Sequence, residues 1–327
     1  MMQPKRSRFK SIENTGFSTS NNTEGGRLTN KDGSINLHKT GIPFWRRTSL
    51  YHLLLRMKRW KFFLSVFLFY TVMNILFASV YLIIGIENLK GIHDDKNLLN
   101  NFQQAFFFSS QTLTTVGYGH ISPVSLGANI VASLESFIGI LSFALVTGLL
   151  YGRFTRPKAY IMFSRNLLVA PHKGQRAIMV RLATYKDNHL TDVEAQVTLS
   201  MYTGVDDKKV RQFFGLPLEI KKINSLALSW TLVHLIDEES PLYGVSYEDM
   251  RDADLEFLYH IKGFDDHFSN TVQQRTSYVF SEIAYGAKFT PAFHRSGDST
   301  TTILELDRLS EYKDVELPDV EKSAINP

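Results

Sequence analysis

The sequence predicts a membrane-embedded helical part followed by an all-β domain. Three observations carry that expectation. Two apolar stretches, FFLSVFLFYTVMNILFASVYLIIGI and ANIVASLESFIGILSFALVTGLLYGRF, are long enough to cross a bilayer. Between them, NFQQAFFFSSQTL is apolar yet too short to cross, and it runs into the glycine-punctuated loop TVGYG. Beyond residue 158, short β-rich stretches alternate with turn signals.

Taken in order, residues 1–45 are polar, rich in Ser, Asn, Thr, Gly and Lys, and are expected to form a disordered tail. No signal peptide is visible. Residues 46–61 form an expected amphipathic helix along the membrane surface. Leu50, Leu53, Leu54 and Met57 share one face, Arg56 and Arg59 lie off it, and Trp60 stands at the membrane end. The first span is 62–86 and carries no charge. The second is 127–155 and carries Glu135. A carboxyl at that depth marks a functional position, facing a cavity or bracing the intervening loop from behind, against the rival reading of a carboxyl near the outer interface that is protonated or satisfied locally.

Basic residues set the orientation. Arg46, Arg47, Arg56, Lys58, Arg59 and Lys61 precede the first span, and Arg153, Arg156 and Lys158 follow the second. The connecting stretch has only Lys90 and Lys96, beside Glu87, Asp94 and Asp95. Both termini are therefore expected in the cytoplasm. Arg46, Arg47, Arg59, Lys61, Arg153, Arg156 and Lys158 form an expected site for anionic lipid, against the plainer reading that they only orient the chain.

Residues 100–120 are expected to hold a re-entrant helix, capped by Asn100 or Asn101, and the loop Thr115-Val116-Gly117-Tyr118-Gly119. Irregular backbone at membrane depth is tolerated only where protein buries it or it lines a watery path. Gly117 and Gly119 allow φ > 0, and alternating handedness turns successive carbonyls to one side. Four such loops around an axis make stacked oxygen cages that replace a cation's water shell. TVGYG is the known filter signature of potassium channels. The expected ligands are the carbonyls of Thr115 to Tyr118 and the Thr115 hydroxyl, with Val116 and Tyr118 side chains facing away and bracing the loop.

Residues 158–310 are expected to form a β sandwich, with one helical turn at SYEDMRD, and 311–327 a C-terminal tail. The charge balance is 36 Lys and Arg against 32 Asp and Glu, too small an excess to call for nucleic acid. With no cysteine, disulfides and thiolate metal sites are excluded. No H-E-x-x-H, P-loop or G-x-S-x-G is present, and the ten histidines show no ligand spacing, so no enzyme is expected.

Two spans, the TVGYG loop and the β domain together resemble the inward-rectifier potassium channels, closest to their prokaryotic KirBac branch. The likeness runs from Pro43 to the end of the β domain. It rests also on TGLLYGRFTRPKAYIMFSRNLLVAP, VHLIDEESPLYGVSYEDM and QQRTSY. The resemblance implies an immunoglobulin-like sandwich, a homotetramer in the bacterial inner membrane, K⁺ as permeant ion with no covalent cofactor, and control by phosphoinositides or other anionic lipids. It implies a gate at Tyr151 and a hinge at Gly139, whose rival reading is close helix packing shared with Gly148. Asp192 and Asp266 match acidic positions of the family's cytoplasmic pore, where polyamine or Mg²⁺ blockers act.

The chain also departs from the family. Many members carry a glutamate where Gln111 stands, and eukaryotic ones pair it with an arginine where Ile121 stands. Neither half of that ion pair is present, so another contact must hold the filter, with Gln111 and Glu135 as the bracing candidates. Phe143 occupies the acidic cavity position of strong rectifiers, which implies weak rectification or rectification from the lower ring alone. The alternative function is a membrane-anchored ligand sensor with a silent pore, against which the intact TVGYG argues.

Overall fold

The structure is a computed structural model, described here for residues 26–41, 43, 49–93, 97–203 and 210–318. The chain forms two compact units, Thr40–Arg156 and Met1–Lys39 together with Pro157–Pro327.

The first unit is helical. A short helix α1 (Leu50–Arg56) ends at Met57, and an extended Met57–Lys58 step separates it from α2 (Arg59–Ile84). Gly85, at φ 106°, closes α2 where an L side chain would be strained. Strand β1 (Leu89–Lys90) follows, then α3 (Leu98–Leu113), β2 (Ser122–Pro123) and α4 (Leu126–Phe154). Helices α2 and α4 have the length and composition of membrane spans. Helix α3 is capped by Asn97, whose side chain accepts the Leu99 amide at 3.0 Å. The cap was expected at Asn100 or Asn101. The helix starts earlier, because Leu98 and Leu99 extend it toward the first side chain able to satisfy the free amides.

In α1 the buried residue is Leu55, packed 3.6 Å from where a Gly152 side chain would begin. The expected apolar face keeps Leu50 and Leu53 exposed, the disposition of a helix whose greasy side meets lipid rather than protein.

The second unit is a two-sheet sandwich. One sheet runs β11 (Asn270–Val279), β10 (Glu256–Asp265), β6 (Leu190–Thr203) and β7 (Val210–Leu216), with β8 (Lys222–Ser225) also on β6. The other runs β12 (Ile283–Tyr285), β4 (Leu167–His172), β5 (Gln175–Thr184) and β3 (Ile161–Phe163), with β9 (Ser229–Leu235) on β5. Alternation decides which side chains enter the core. In β9 Trp230, Leu232 and His234 are buried while their neighbours are half-exposed. Leu167, Val169, Leu182, Leu199 and Phe257 meet in one core drawn from both sheets. The expected helical turn is α5 (Tyr247–Asp252), closed by a reciprocal Ser246–Asp249 capping box.

Both expected tail boundaries need correction. Residues 27–36, expected to be disordered, fold into a strap on the β unit with a Thr29–Ile35 bridge. The buried Glu256 carboxylate accepts the amides of Leu28 (2.8 Å) and Thr29 (3.0 Å). Arg27 bonds Ser277 and pairs with Glu282 at 3.0 Å, and Lys31 lies over the Tyr278 ring. Gly33 sits so close to β11 that a Cβ would come within 2.4 Å of the Arg275 carbonyl. The strap is polar because its partners are a carboxylate and backbone edges, and composition alone reads such a segment as solvated. At the other end the domain continues past 310. Strand β14 (Tyr312–Asp314) pairs with β13 (Ala287–Phe289), and Arg176 bonds the Pro318 carbonyl at 2.9 Å.

Candidate functional site

The TVGYG loop leaves the C-terminus of α3. Thr115, Gly117 and Gly119 take φ of 59°, 53° and 78°, whereas Val116 and Tyr118 do not fall in the positive region. Handedness thus alternates residue by residue, the backbone device that aims consecutive carbonyls alike. Thr115 was not expected among the positive positions. A threonine there is sterically disfavoured and persists only where surroundings impose it. Here the helix end does so: the Thr115 amide bonds the Thr112 carbonyl at 3.0 Å, and the Gln111 carbonyl accepts Val116 (2.9 Å) and Gly117 (3.3 Å). Gln111 therefore contributes its backbone to the loop. The side chains of Val116 and Tyr118 stand 52% and 78% exposed, so the bracing expected of them is not supplied within one chain.

Above the loop, β1 pairs with β2, and Gly91, at φ 95°, lies against the His120 carbonyl at a place where a Cβ would be 2.0 Å away. On α4, Glu135 is fully buried against α2 and α3. Tyr81 donates to its Oε2 at 2.7 Å and Ser109 contacts Oε1. Ser109 also bonds Asn74 Oδ1 at 3.1 Å, and Asn74 Nδ2 donates to the Tyr70 carbonyl at 2.9 Å. These side chains come from α2, α3 and α4. Nothing in their sequence spacing pairs them; only the fold brings them together.

Gly139 is buried against the end of α3, and any Cβ would meet the Leu113 carbonyl at 1.9 Å. Helix packing alone therefore requires glycine there. Gly148 has no atom within 4 Å of its Cβ position, so the shared-packing expectation fails for it within the chain. Further down α4, Phe143 and Tyr151 are 77% and 71% exposed.

Of the seven basic residues, Arg46 and Arg47 lie outside the described residues. Arg59, Lys61, Arg156 and Lys158 are exposed. Arg153 is not available in the same way. Its guanidinium donates to the carbonyls of Leu54 and, at 2.7 Å, Met57, and stacks 4.6 Å over Phe62. It satisfies the free carbonyls at the end of α1, a favourable place for a cation. These contacts tie α1 to α4 and leave Arg153 half-exposed.

In the β unit, Asp192 and Asp266 fall at one end of the β6–β10 pair, where Leu190 faces Asp265. Two residues of β6, Asp192 and Val193, oppose the single Gly263, and Asp192 has φ 51°. This bulge swings Asp192 out of the ladder. Each acid has a cationic or titratable companion: Asp192 pairs with Lys222 at 3.1 Å and Asp266 with His189 at 2.8 Å. Hydrogen bonds, first from His189 and then from Thr191, hold Asp266 below the usual carboxylate range.

A half-crossing helix and an alternating-handed loop between two spans define a pore-loop ion channel as the class of this chain. Comparison with known proteins narrows it. Residues 161–326 match the inward rectifier potassium channel C-terminal domain, and 62–156 match an ion channel family. The chain is 34% identical over 274 residues to the inward rectifier potassium channel Kirbac3.1 of Paramagnetospirillum magnetotacticum, covering 82% of this chain and 89% of that protein. It is 26% identical over 332 residues to the G protein-activated inward rectifier potassium channel 2 of Pongo abelii and of Homo sapiens, covering 89% and 77%. A solved structure of the sporulation control protein Spo0M from Bacillus subtilis covers 39% of this chain and 50% of that one, at 9% identity and a TM-score of 0.21, too low to bear on the fold. The chain belongs to the inward rectifier potassium channel family, a family of ion channels and not of enzymes.

Proposed function

We propose that this protein is a K⁺-selective pore of four identical subunits in a bacterial inner membrane, with both termini cytoplasmic. The single observation that carries the reading is the alternation of positive φ at Thr115, Gly117 and Gly119 directly after a half-crossing helix. Carbonyls aimed to one side are a quarter of a coordination cage; three further copies complete it. The exposed Val116 and Tyr118 side chains fit the same reading, since neighbouring subunits would cover them. Conduction is passive, K⁺ is the cargo, and no covalent chemistry is involved.

Tyr151 is the proposed gate, a bulky exposed ring on the last turn of α4 that, repeated fourfold, dewets a constriction. Gly139 serves first as the packing contact with α3, and bending there would separate that contact. Phe143 is the cavity residue. It offers no charge to a polyamine or Mg²⁺ blocker, and Asp192 and Asp266 are partly compensated by Lys222 and His189, which together favour weak rectification. Arg59, Lys61, Arg156 and Lys158, with Arg46 and Arg47, are the proposed contacts for anionic lipid, each worth roughly 1 kcal/mol near a charged leaflet.

The test is Rb⁺ uptake into liposomes holding the purified protein, with and without phosphoinositide. Uptake competed by K⁺ but not Na⁺ and blocked by Ba²⁺ is expected, and a change with the lipid is expected to depend on the exposed basic residues. Uptake competed equally by Na⁺ overturns the filter assignment.

A further inference from the structure

The hydrogens of four side chains that join α2, α3 and α4 can be counted. Asn74 turns Nδ2 toward the Tyr70 carbonyl, an acceptor, so its Oδ1 must face Ser109. Oδ1 has no hydrogen, and the Ser109 hydroxyl must therefore donate to it. That uses the only hydrogen Ser109 has. What Ser109 presents to Glu135 Oε1 is then a lone pair. Two acceptors in contact repel, so the hydrogen between them must belong to Glu135. On the other oxygen, Oε2, the Tyr81 hydroxyl donates at 2.7 Å.

We infer that Glu135 is a neutral carboxylic acid, and that Glu135, Ser109, Asn74 and Tyr81 form an uncharged, one-directional hydrogen-bond chain that positions the K⁺ filter. The order of donation is Tyr81 to Glu135, Glu135 to Ser109, Ser109 to Asn74, and Asn74 to the Tyr70 carbonyl. Every polar atom in the chain is used, in keeping with the fully buried carboxyl and with the absence of any basic side chain in contact with it among the described residues. The chain ties α2 and α4 to α3 within two turns of the loop it feeds, where the Leu113 carbonyl also seats against Gly139. A carboxylate paired with a cation is thus not the only way to brace such a loop; a neutral acid with a fixed donor order does the same without a buried charge. The four residues are positioning residues, and the inference rests on the potassium-filter reading above.

Infrared spectroscopy and flux on the assembled protein test it together. Wild type should show a carboxylic-acid C=O band that is missing from Glu135→Gln at neutral pH. Glutamine donates from its amide to Ser109 and accepts from Tyr81, so it preserves the donor order and should rescue discrimination of K⁺ over Na⁺ to within about twofold of wild type. Glu135→Leu and Ser109→Ala break the order, and should lower that discrimination at least about tenfold, the size set by one unsatisfied buried polar group. Should Leu prove as tolerant as Gln at position 135, the positioning role is overturned. A missing acid band, with Gln as damaging as Leu, overturns the neutral acid in favour of a carboxylate. Wild type that conducts without selectivity overturns the filter reading and the positioning role with it, while the band still decides the protonation state.

Discussion

The two units of this chain handle apolar surface in opposite ways. In the β unit, Leu167, Val169, Leu182, Leu199 and Phe257 are completely buried, and polar strand edges are met by the strap at Glu256 or by neighbouring strands. In the helical unit only 22% of the most apolar window of α2 and 11% of that of α4 is buried. The β unit closes a core of its own from both sheets. In the proposed tetramer, lipid and neighbouring subunits would cover the exposed side chains of the helical unit, and the Thr115–Gly119 loop would supply one wall of the cage. Exposure of Phe143, Tyr151, Val116 and Tyr118 would count as a defect in the first setting and is the proposed functional surface in the second.

The contrast is sharpest at Gly117. Gly117→Asp places a charge and a disfavoured φ in the cage, and is expected to abolish K⁺ flux while tetramer assembly and unfolding of the β unit stay at wild-type values. Size-exclusion chromatography and Rb⁺ uptake on one preparation check this; normal flux from an assembled mutant would remove the filter from Gly117. Next in size is Phe143→Asp, expected to strengthen voltage-dependent block by internal polyamine more than tenfold. Unchanged block would mean that Phe143 faces lipid, not a cavity.

Two smaller effects belong to the β unit alone. Glu256→Gln offers one acceptor where the strap needs two and turns an amide donor toward a backbone N–H. Loss of about 1–3 kcal/mol is expected, read as faster tryptic cleavage at Arg27 and Lys31 in the intact protein, with ion selectivity untouched. His234 is buried between the Pro217 carbonyl (2.7 Å) and Ser240 Oγ (2.8 Å). Burial holds its ring below the ordinary imidazole range, against the opposing pull of the Pro217 carbonyl and Asp237. The unfolded chain therefore takes up the proton first. Its contribution is full above about pH 6.5 and drains as the pH falls below that value. Thermal melts from pH 7.5 down to about 5 should show a loss that His234→Gln reduces; equal slopes in both proteins would remove His234 as the cause.

Much of this was readable before any coordinates. The spans, the half-helix, the loop and the sandwich follow from long apolar runs, glycine placement and period-two alternation, all of them local signals. What stayed hidden depends on distant residues. Tyr81, Ser109 and Asn74 look like ordinary helix residues until the fold closes them around Glu135. Arg153 reads as one more membrane-proximal cation, and only the bend at Met57–Lys58 turns the end of α1 toward it. Residues 27–36 read as solvated because their partners, a buried carboxylate and a strand edge, lie more than two hundred positions away. Thr115 is the instructive residue within the loop itself. Composition points to the glycines for positive φ, while the helix end upstream imposes it on a threonine.

In the proposed channel, four copies of the Thr115–Gly119 backbone form a cage that admits K⁺ and rejects Na⁺. The reversal potential of the purified protein in a planar bilayer, with mostly K⁺ on one side and mostly Na⁺ with a smaller, known K⁺ concentration on the other, tests it most directly. A reversal potential close to the K⁺ equilibrium potential is expected. One near zero, from channels that conduct, would contradict it.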